Sequence, residues 1–327
     1  MGDAALKEYV EVPFPVRERP ETAGMRLDAF LVRRLQAHSR SVVQGFIREG
    51  RVFLRGRPAK ASTRVDLNDT VIVRYPPRRE APPLHERLPV LYEDEHLIAI
   101  NKPGGVLSHP TGKVVQNTAT TILARQFAGT RLHLVHRLDR ETSGILLLAK
   151  NPADAFSLAR QFERRSVSKE YLAVVRGCPA FTRRVVEEPL GPEGKAIRVR
   201  QAVNRETGQP ASTAFDRLAT GRSLSLVRAV PRTGRLHQIR AHLAWLGHPV
   251  LGDKLYFQDG EYFLKAVAGE LDAEDFAALG AKRQMLHAGR VSLLHPHTGA
   301  PLTVEAAPPE DFQHCIIKEE LTQNPVL

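Results

Sequence analysis

The sequence predicts an α+β protein: a large domain on a mixed, mostly antiparallel sheet, preceded by a small α/β module. Three observations predict it. From about residue 88 onward, strand-like and helix-like stretches alternate irregularly, without the strict strand–helix repeat of a parallel sheet. Between Met25 and Tyr75, two short helical patterns are followed by two short strand patterns. Between these regions lies Pro76-Pro77-Arg78-Arg79-Glu80-Ala81-Pro82-Pro83, too rich in proline for helix or central strand, which reads as a semi-rigid linker.

The elements follow in order. Residues 1–24 read as an N-terminal extension. In the module, 25–75, Arg26 to Leu35 carries apolar residues at helical spacing, and Ser39 or Ser41 can N-cap a helix from Val42 to Arg48 that stops at Glu49-Gly50. Arg51 to Pro58 reads as a strand with a turn, and Val65 to Val73 as a loop and strand. The linker spans 76–88. In the large domain, 89–312, Val90-Leu91-Tyr92 and Leu97 to Asn101 are strand-like, Gly144 to Ala149 is a continuous apolar run suited to a buried strand, and Ala153 to Arg164 is an amphipathic helix. Tyr171 to Val175 and Ser223 to Ala229 read as strands, and His237 to Leu246 as a helix stopped by Gly247 and Pro249. Asp259 to Asp275 holds six acidic residues against one lysine, the pattern of a solvated helical insertion. Residues 313–327 read as a C-terminal tail.

Composition limits the function classes. The 327 residues are 42% hydrophobic and 25% charged, an ordinary globular balance, with a net charge of +11. Residues 25–80 contain thirteen Lys or Arg against five Asp or Glu, so most of the excess sits in the small module and points to a polyanionic partner, nucleic acid first. The two cysteines, Cys178 and Cys315, have no metal-ligand spacing and make no disulfide framework, which fits a reducing cytosol. Met1 to Val16 lacks the apolar core of a secretory signal, and no apolar run approaches a membrane span. A cytoplasmic protein with no membrane partner is expected. No uncovered apolar helix stripe is evident, so a monomer is expected.

Two clusters can carry chemistry. His136-Arg137-Leu138-Asp139-Arg140-Glu141-Thr142-Ser143-Gly144 is a charged run directly before the buried strand, which places its side chains in a loop at the sheet edge. A carboxylate flanked by Arg137 and Arg140 stays ionised and can serve as nucleophile or base; Asp139 standing alone reads first as a turn residue or ion-pair partner. Arg232-Thr233-Gly234-Arg235-Leu236-His237-Gln238-Ile239-Arg240-Ala241-His242 crosses a loop-to-helix junction rich in donors, suited to a phosphate or to a carboxylate such as Asp139. His237 and His242 are five apart and do not share the face that helical metal ligands need. The same segment also reads as a structural helix entry.

The text and order of these blocks add more. The chain resembles the RluA family of pseudouridine synthases in Leu91 to Glu95, Ile100-Asn101-Lys102-Pro103-Gly104-Gly105, His109-Pro110, the His136 to Gly144 block, Lys169-Glu170-Tyr171, Gly234 to His242 and Gly247 to Asp253. The module resembles an S4-type RNA-binding domain in Arg26-Leu27-Asp28, Ser39-Arg40-Ser41 and Gly50-Arg51-Val52. The resemblance implies an RNA pseudouridine synthase with Asp139 as catalytic carboxylate, Tyr171 packing on the target base and assisting proton removal, and Arg240 pairing with the carboxylate. It implies that Arg137 fills the space left by the flipped base and that Leu286-His287-Ala288 adds an apolar wall. Lys102, Arg33, Arg34, Arg40 and Arg51 are expected to bind RNA. Leu236 stands where the family often has threonine.

The implied reaction detaches uracil from C1′, turns it and rejoins it through C5, after the nucleotide has left its stack. It needs no cofactor and no metal, and the sequence shows no dinucleotide fingerprint or P-loop. Asp139 can attack C1′ or remove a sugar proton. The expected partner is structured RNA, ribosomal RNA ahead of transfer RNA. Two other readings compete: a catalytically idle RNA-binding protein on the same scaffold, and a glycoside-type hydrolase using Asp139 and Glu141, which lie two apart and suit a carboxylate pair poorly. The acidic insertion can adjust substrate choice or a protein contact.

Overall fold

The structure is a computed structural model, and it describes residues 10–35, 39–75, 84–111, 114–193 and 197–321. It forms two compact units, residues 1–79 and 80–327.

In the small unit β1 (Val10–Pro15) is followed by α1 (Leu27–Arg34), α2 (Arg40–Arg48), β2 (Val52–Leu54), β3 (Arg57–Pro58) and β4 (Thr70–Tyr75). The strands form an antiparallel sheet in the order β1-β4-β2-β3. Helix α1 buries Leu27, Phe30 and Leu31 and helix α2 buries Val43 and Ile47, the i, i+3, i+4 spacing of an apolar stripe, against Val52, Leu54, Val71 and Val73 of the sheet. Asp28 is enclosed between the helices: Arg26, Arg40 and Gln44 donate to its carboxylate, as does the Ala29 amide. Residues 10–24, set apart in the sequence as an extension, pair with β4 through β1 and bury Val16. The prolines at 13 and 15 are tolerated because β1 is an edge strand.

The large unit runs through β5 (Val90–Glu93), β6 (Leu97–Lys102), α3 (Ala119–Gln126), β7 (His133–Leu134), β8 (Ser143–Ala149), α4 (Pro152–Glu163), β9 (Ser168–Arg176), β10 (Arg183–Val186), β11 (Leu190–Pro192), β12 (Gln201–Val203), β13 (Thr213–Thr220) and β14 (Leu224–Pro231). It continues with α5 (Gln238–Trp245), α6 (Glu261–Ala268), α7 (Ala273–Leu279), β15 (Leu286–Leu294), β16 (Pro301–Glu305) and α8 (Glu310–Lys318). One sheet runs β10-β13-β14-β9-β15-β8-β6-β5, with β16 beside β15 and β7 beside β8; β11 and β12 form a separate pair. Within the large sheet only the β15–β8 contact is parallel, so the mixed, mostly antiparallel α+β fold read from the sequence is the fold observed.

Strand β8 is buried along its whole length because both faces are covered. Ile98, Ile100, Leu146 and Leu148 pack with Ile122 and Leu123 of α3, while Leu97, Ala99, Ile145 and Leu147 pack with Leu158 of α4. Asn151 caps α4 by accepting from the Asp154 amide, with proline at the first helical position. A third core joins β9 and β14 to Ile239 and Leu243 of α5, to Phe312 of α8 and to Leu321. The stretch read as a C-terminal tail is therefore packed as far as residue 321. Most of the expected linker, 76–83, lies outside the described residues. Its last residue, Leu88, is buried, and its backbone exchanges two hydrogen bonds with the Gln126 side chain. The acidic insertion forms α6 and α7, the latter closed by a reciprocal Asp272–Asp275 capping box.

Candidate active site

The loop between β7 and β8 is fixed from below. Leu138 is buried, and its amide and carbonyl both bond the Ser108 hydroxyl. The Thr142 amide closes a turn onto the Asp139 carbonyl at 3.2 Å. Gly144 then takes φ +111°, and a β-carbon there would lie 2.3 Å from the Ala288 carbonyl oxygen, so only glycine lets β8 run beside β15 directly after this loop. His287 fastens the same junction, bonding the Ser143 hydroxyl and the Ala306 carbonyl.

Asp139 meets Arg240 from the first turn of α5. The guanidinium donates to Asp139 Oδ2 at 2.8 Å through Nη1, and to both oxygens of buried Asp253 at 2.6 and 2.9 Å through Nε and Nη2. The Leu255 and Tyr256 amides complete Asp253. Burial by itself would raise the Asp139 carboxyl, but the Arg240 charge and hydrogen bond outweigh it and hold the group below its ordinary value. Burial likewise opposes the charge on Arg240, and Asp253 and Asp139 more than offset it. His237, left-handed at φ +55°, places Nε2 3.9 Å from Asp139 Oδ2. Burial and the neighbouring Arg240 pull its pKa down to about 4, so it is neutral at pH 7. Gln238 braces the loop by accepting from Thr233 and the Arg235 amide while donating to Ser212 and Thr213.

Asp139, His237, Gln238 and Arg240 line a cavity of about 760 Å³ with Tyr171, Lys169, Arg137, Arg165, Arg232 and Arg235 around it, a size suited to a small ligand or a single nucleotide. Arg137 is exposed at the rim. Tyr171 comes from β9; burial and then the Asp139 charge push its phenol up, so it remains protonated through neutral pH. Leu286 forms part of the wall. His136 is a support: its ring stacks on Phe162 and its Nε2 accepts from the Leu147 amide. His242 likewise bonds Thr213 and the Glu188 carbonyl.

Asp139, Tyr171, Arg240 and Arg137 thus converge from segments up to a hundred residues apart. Lys102 does not join them, and its expected RNA contact is corrected: it is 0% exposed, and Nζ donates to the carbonyls of Pro103, Val106 and Arg140, tying the loop after β6 to the Asp139 loop. Glu141 is turned to Lys254 and the Gln284 amide and does not line the cavity, which removes the Asp139–Glu141 pair considered for a glycoside hydrolase. In the small unit Arg33 and Arg40 are exposed, Arg40 while bonding Asp28. Arg34 pairs with Glu18, and Arg51 pairs with Glu49 over the Phe46 ring. Asp253 and Gln238 were not singled out from the sequence. A carboxylate thirteen residues beyond Arg240 has no spacing signal, and nothing local in either segment marks the two side chains.

His96, Asp154 and His297 lie close enough to share a metal ion, but the two imidazoles stack at 4.1 Å and 11°. Lone pairs lie in the ring planes, so two nearly parallel rings cannot aim at one ion in this arrangement. Among the described residues, no helix is long and apolar enough to cross a membrane.

An ionised carboxylate in a cation-lined cavity, on a mixed sheet, is an arrangement able to do carboxylate chemistry on an anionic ligand. The sequence profile of the RNA pseudouridylate synthase family matches residues 96–245, and that of the S4 domain matches residues 25–71. An uncharacterized RNA pseudouridine synthase of Chlorobaculum parvum is 35% identical over 88% of this chain and 92% of its own length. Ribosomal large subunit pseudouridine synthase C of Escherichia coli strain K12 is 32% identical over 91% of this chain and 94% of its own. The solved structure of human RNA pseudouridylate synthase domain containing 4 aligns with a TM-score of 0.56 at 29% identity, covering 72% of this chain and 94% of that one. The chain belongs to the RNA pseudouridylate synthases and is an RNA pseudouridine synthase with an N-terminal S4 domain.

Proposed function

We propose that this enzyme converts uridine to pseudouridine in large-subunit ribosomal RNA, with Asp139 as the catalytic carboxylate. The carrying observation is the Asp139–Arg240–Asp253 network. Arg240 is shared between two carboxylates, Asp253 is saturated, and Asp139 keeps Oδ1 without a hydrogen bond among the described residues. That oxygen is charged, oriented and available to C1′ or to a sugar proton. Tyr171 offers a ring on which the detached base can stack, and loss of the Asp139 charge during reaction would ease later ionisation of its phenol. Exposed Arg137 can enter the vacated stack, and the exposed arginines Arg33 and Arg40 of the S4 domain can hold phosphates.

The choice of ribosomal RNA rests on the names of relatives, such as synthase D of Neisseria meningitidis serogroup B, 33% identical over 90% of this chain. Transfer RNA is the runner-up. Mapping pseudouridine across total RNA from cells with and without the gene decides between them: a large-subunit site that disappears supports the reading, and a lost transfer RNA site overturns it. We also infer a cytoplasmic monomer, which light scattering on the purified protein and cell fractionation test.

A further inference from the structure

Besides Arg240, the cavity is lined by a half-buried lysine, Lys169. Lys169 and Tyr171 are two apart on β9, so both side chains leave the same face of the sheet, and both line the cavity. The lysine reaches the opposite wall: a β-carbon placed on Gly234 would lie 4.0 Å from Nζ. The other cations differ. Arg240 is held by two carboxylates, Arg235 bonds the Pro210 carbonyl and Gln209, and Arg137, Arg165 and Arg232 are exposed. Among the described residues, Lys169 Nζ has no carboxylate or carbonyl partner. Burial acts on it unopposed and pulls its titration below the ordinary lysine value. A partly desolvated ammonium that faces the cavity without a protein partner is placed to pair with a ligand oxygen.

Placement selects which oxygen. Backbone phosphates meet the exposed arginines first, whereas Lys169 is half-buried, two residues along the strand from the ring proposed to hold the base. We propose that Lys169 is a catalytic residue that hydrogen-bonds a carbonyl oxygen of the target uracil and stabilises the uracil anion formed when the glycosidic bond breaks. The inference rests on the reading that puts Asp139 at the sugar and Tyr171 at the base. It holds for either role of Asp139. Whether the carboxylate bonds to C1′ or removes a sugar proton, the N1–C1′ electron pair leaves with the base and spreads over N1, O2 and O4. The lysine proton stays on nitrogen while its hydrogen bond strengthens, an interaction larger in the transition state than in the bound uridine. The ring then turns, C5 bonds to C1′, and Asp139 recovers its charge. The proton count closes because C5 releases one proton and N1 takes one up.

The test is single-turnover conversion of a pseudouridine-free RNA carrying the mapped target site, by wild type, Lys169→Met, Lys169→Arg and Asp139→Asn. Lys169→Met is expected to slow conversion on the order of 10²-fold, with RNA affinity within about two-fold of wild type and part of the rate restored by Lys169→Arg. On RNA with 5-fluorouridine at the target, the fluorine makes the base a weaker base and better leaving group, so the defect in consuming that nucleotide shrinks to under about 10-fold. If Lys169→Met unfolds, Lys169→Gln keeps a polar stem, lacks the charge and carries the same expectation. A normal single-turnover rate for the neutral variant overturns the inference. So does weaker binding at an unchanged rate with a salt slope lower by about one, which assigns the ammonium to phosphate. Wild-type rate in Asp139→Asn brings down the underlying reading as well; an inactive Asp139→Asn beside a fully active Lys169→Met brings down the lysine alone.

Discussion

Each unit encloses an aspartate among arginines, and the two differ in how much of the carboxylate is used. In the S4 domain, Asp28 accepts from Arg26, Arg40, Gln44 and the Ala29 amide, so both oxygens are saturated. In the catalytic domain, Asp253 plays that saturated part, taking two bonds from Arg240 and two from backbone amides. Asp139 takes a single bond from the same guanidinium. A carboxylate offers about four acceptor sites. One that fills them is tied to its neighbours, and one that keeps a free oxygen has room for a ligand, as the proposed role of Asp139 requires. The counter-charge holds Asp28 and Asp139 alike below the ordinary carboxylate range; hydrogen-bond coordination is what differs between them.

The comparison breaks most directly at Asp139. Asp139→Asn is expected to lower single-turnover pseudouridine formation by roughly 10³-fold or more, with thermal stability and RNA affinity near wild type. A large loss of stability instead would make Asp139 a joint like Asp28. Asp253→Asn is expected to lose both properties: on the order of 10²-fold in rate, as for groups that orient a reactive partner, and about 3 kcal/mol in urea unfolding, because Arg240 keeps its buried charge with less to offset it. Asp28→Asn is expected to cost roughly 1–3 kcal/mol, within the small unit, through unmet hydrogen bonds. Its turnover at saturating RNA stays unchanged, so a lower saturated rate with intact folding would contradict the division.

The pH profile sharpens the same point. The folded-state pKa of Asp139 is depressed, so its stabilising contribution is complete above the unfolded value of about 4 and is lost as pH falls through the lower folded value. The single-turnover rate should therefore show no carboxylate limb between pH 7 and about 5; a break near pH 6 assigned to Asp139 would show that Arg240 does not govern its charge. The smallest effect is expected at Arg33. Arg33→Ala weakens RNA binding a few-fold, by about one unit of salt slope, and leaves the saturated rate alone.

Much of this was legible in the chain. The apolar run Gly144 to Ala149 suits a buried strand, and the Ala153 to Arg164 pattern marks α4 to within one residue at each end. The His136 to Gly144 and Gly234 to His242 blocks put Asp139 and Arg240 in view. Lys102 was misread because a lysine beside a turn defaults to the surface, and nothing local shows three carbonyls converging on it. Strand β1 was hidden because Pro13 and Pro15 interrupt its pattern, and only its place at the sheet edge makes them harmless.

The sequence by itself determined the α+β class, the basic module and the residue types from which a charged carboxylate site could be made. Those properties are local: periodicity, composition and short blocks carry them. Among the described residues, tertiary structure decided which carboxylate keeps a free oxygen, which is saturated, and which half-buried cation in the cavity has no carboxylate or carbonyl partner. Hydrogen-bond saturation and desolvation depend on groups brought together across the fold, 101 residues apart for Asp139 and Arg240, and no spacing along the chain encodes them.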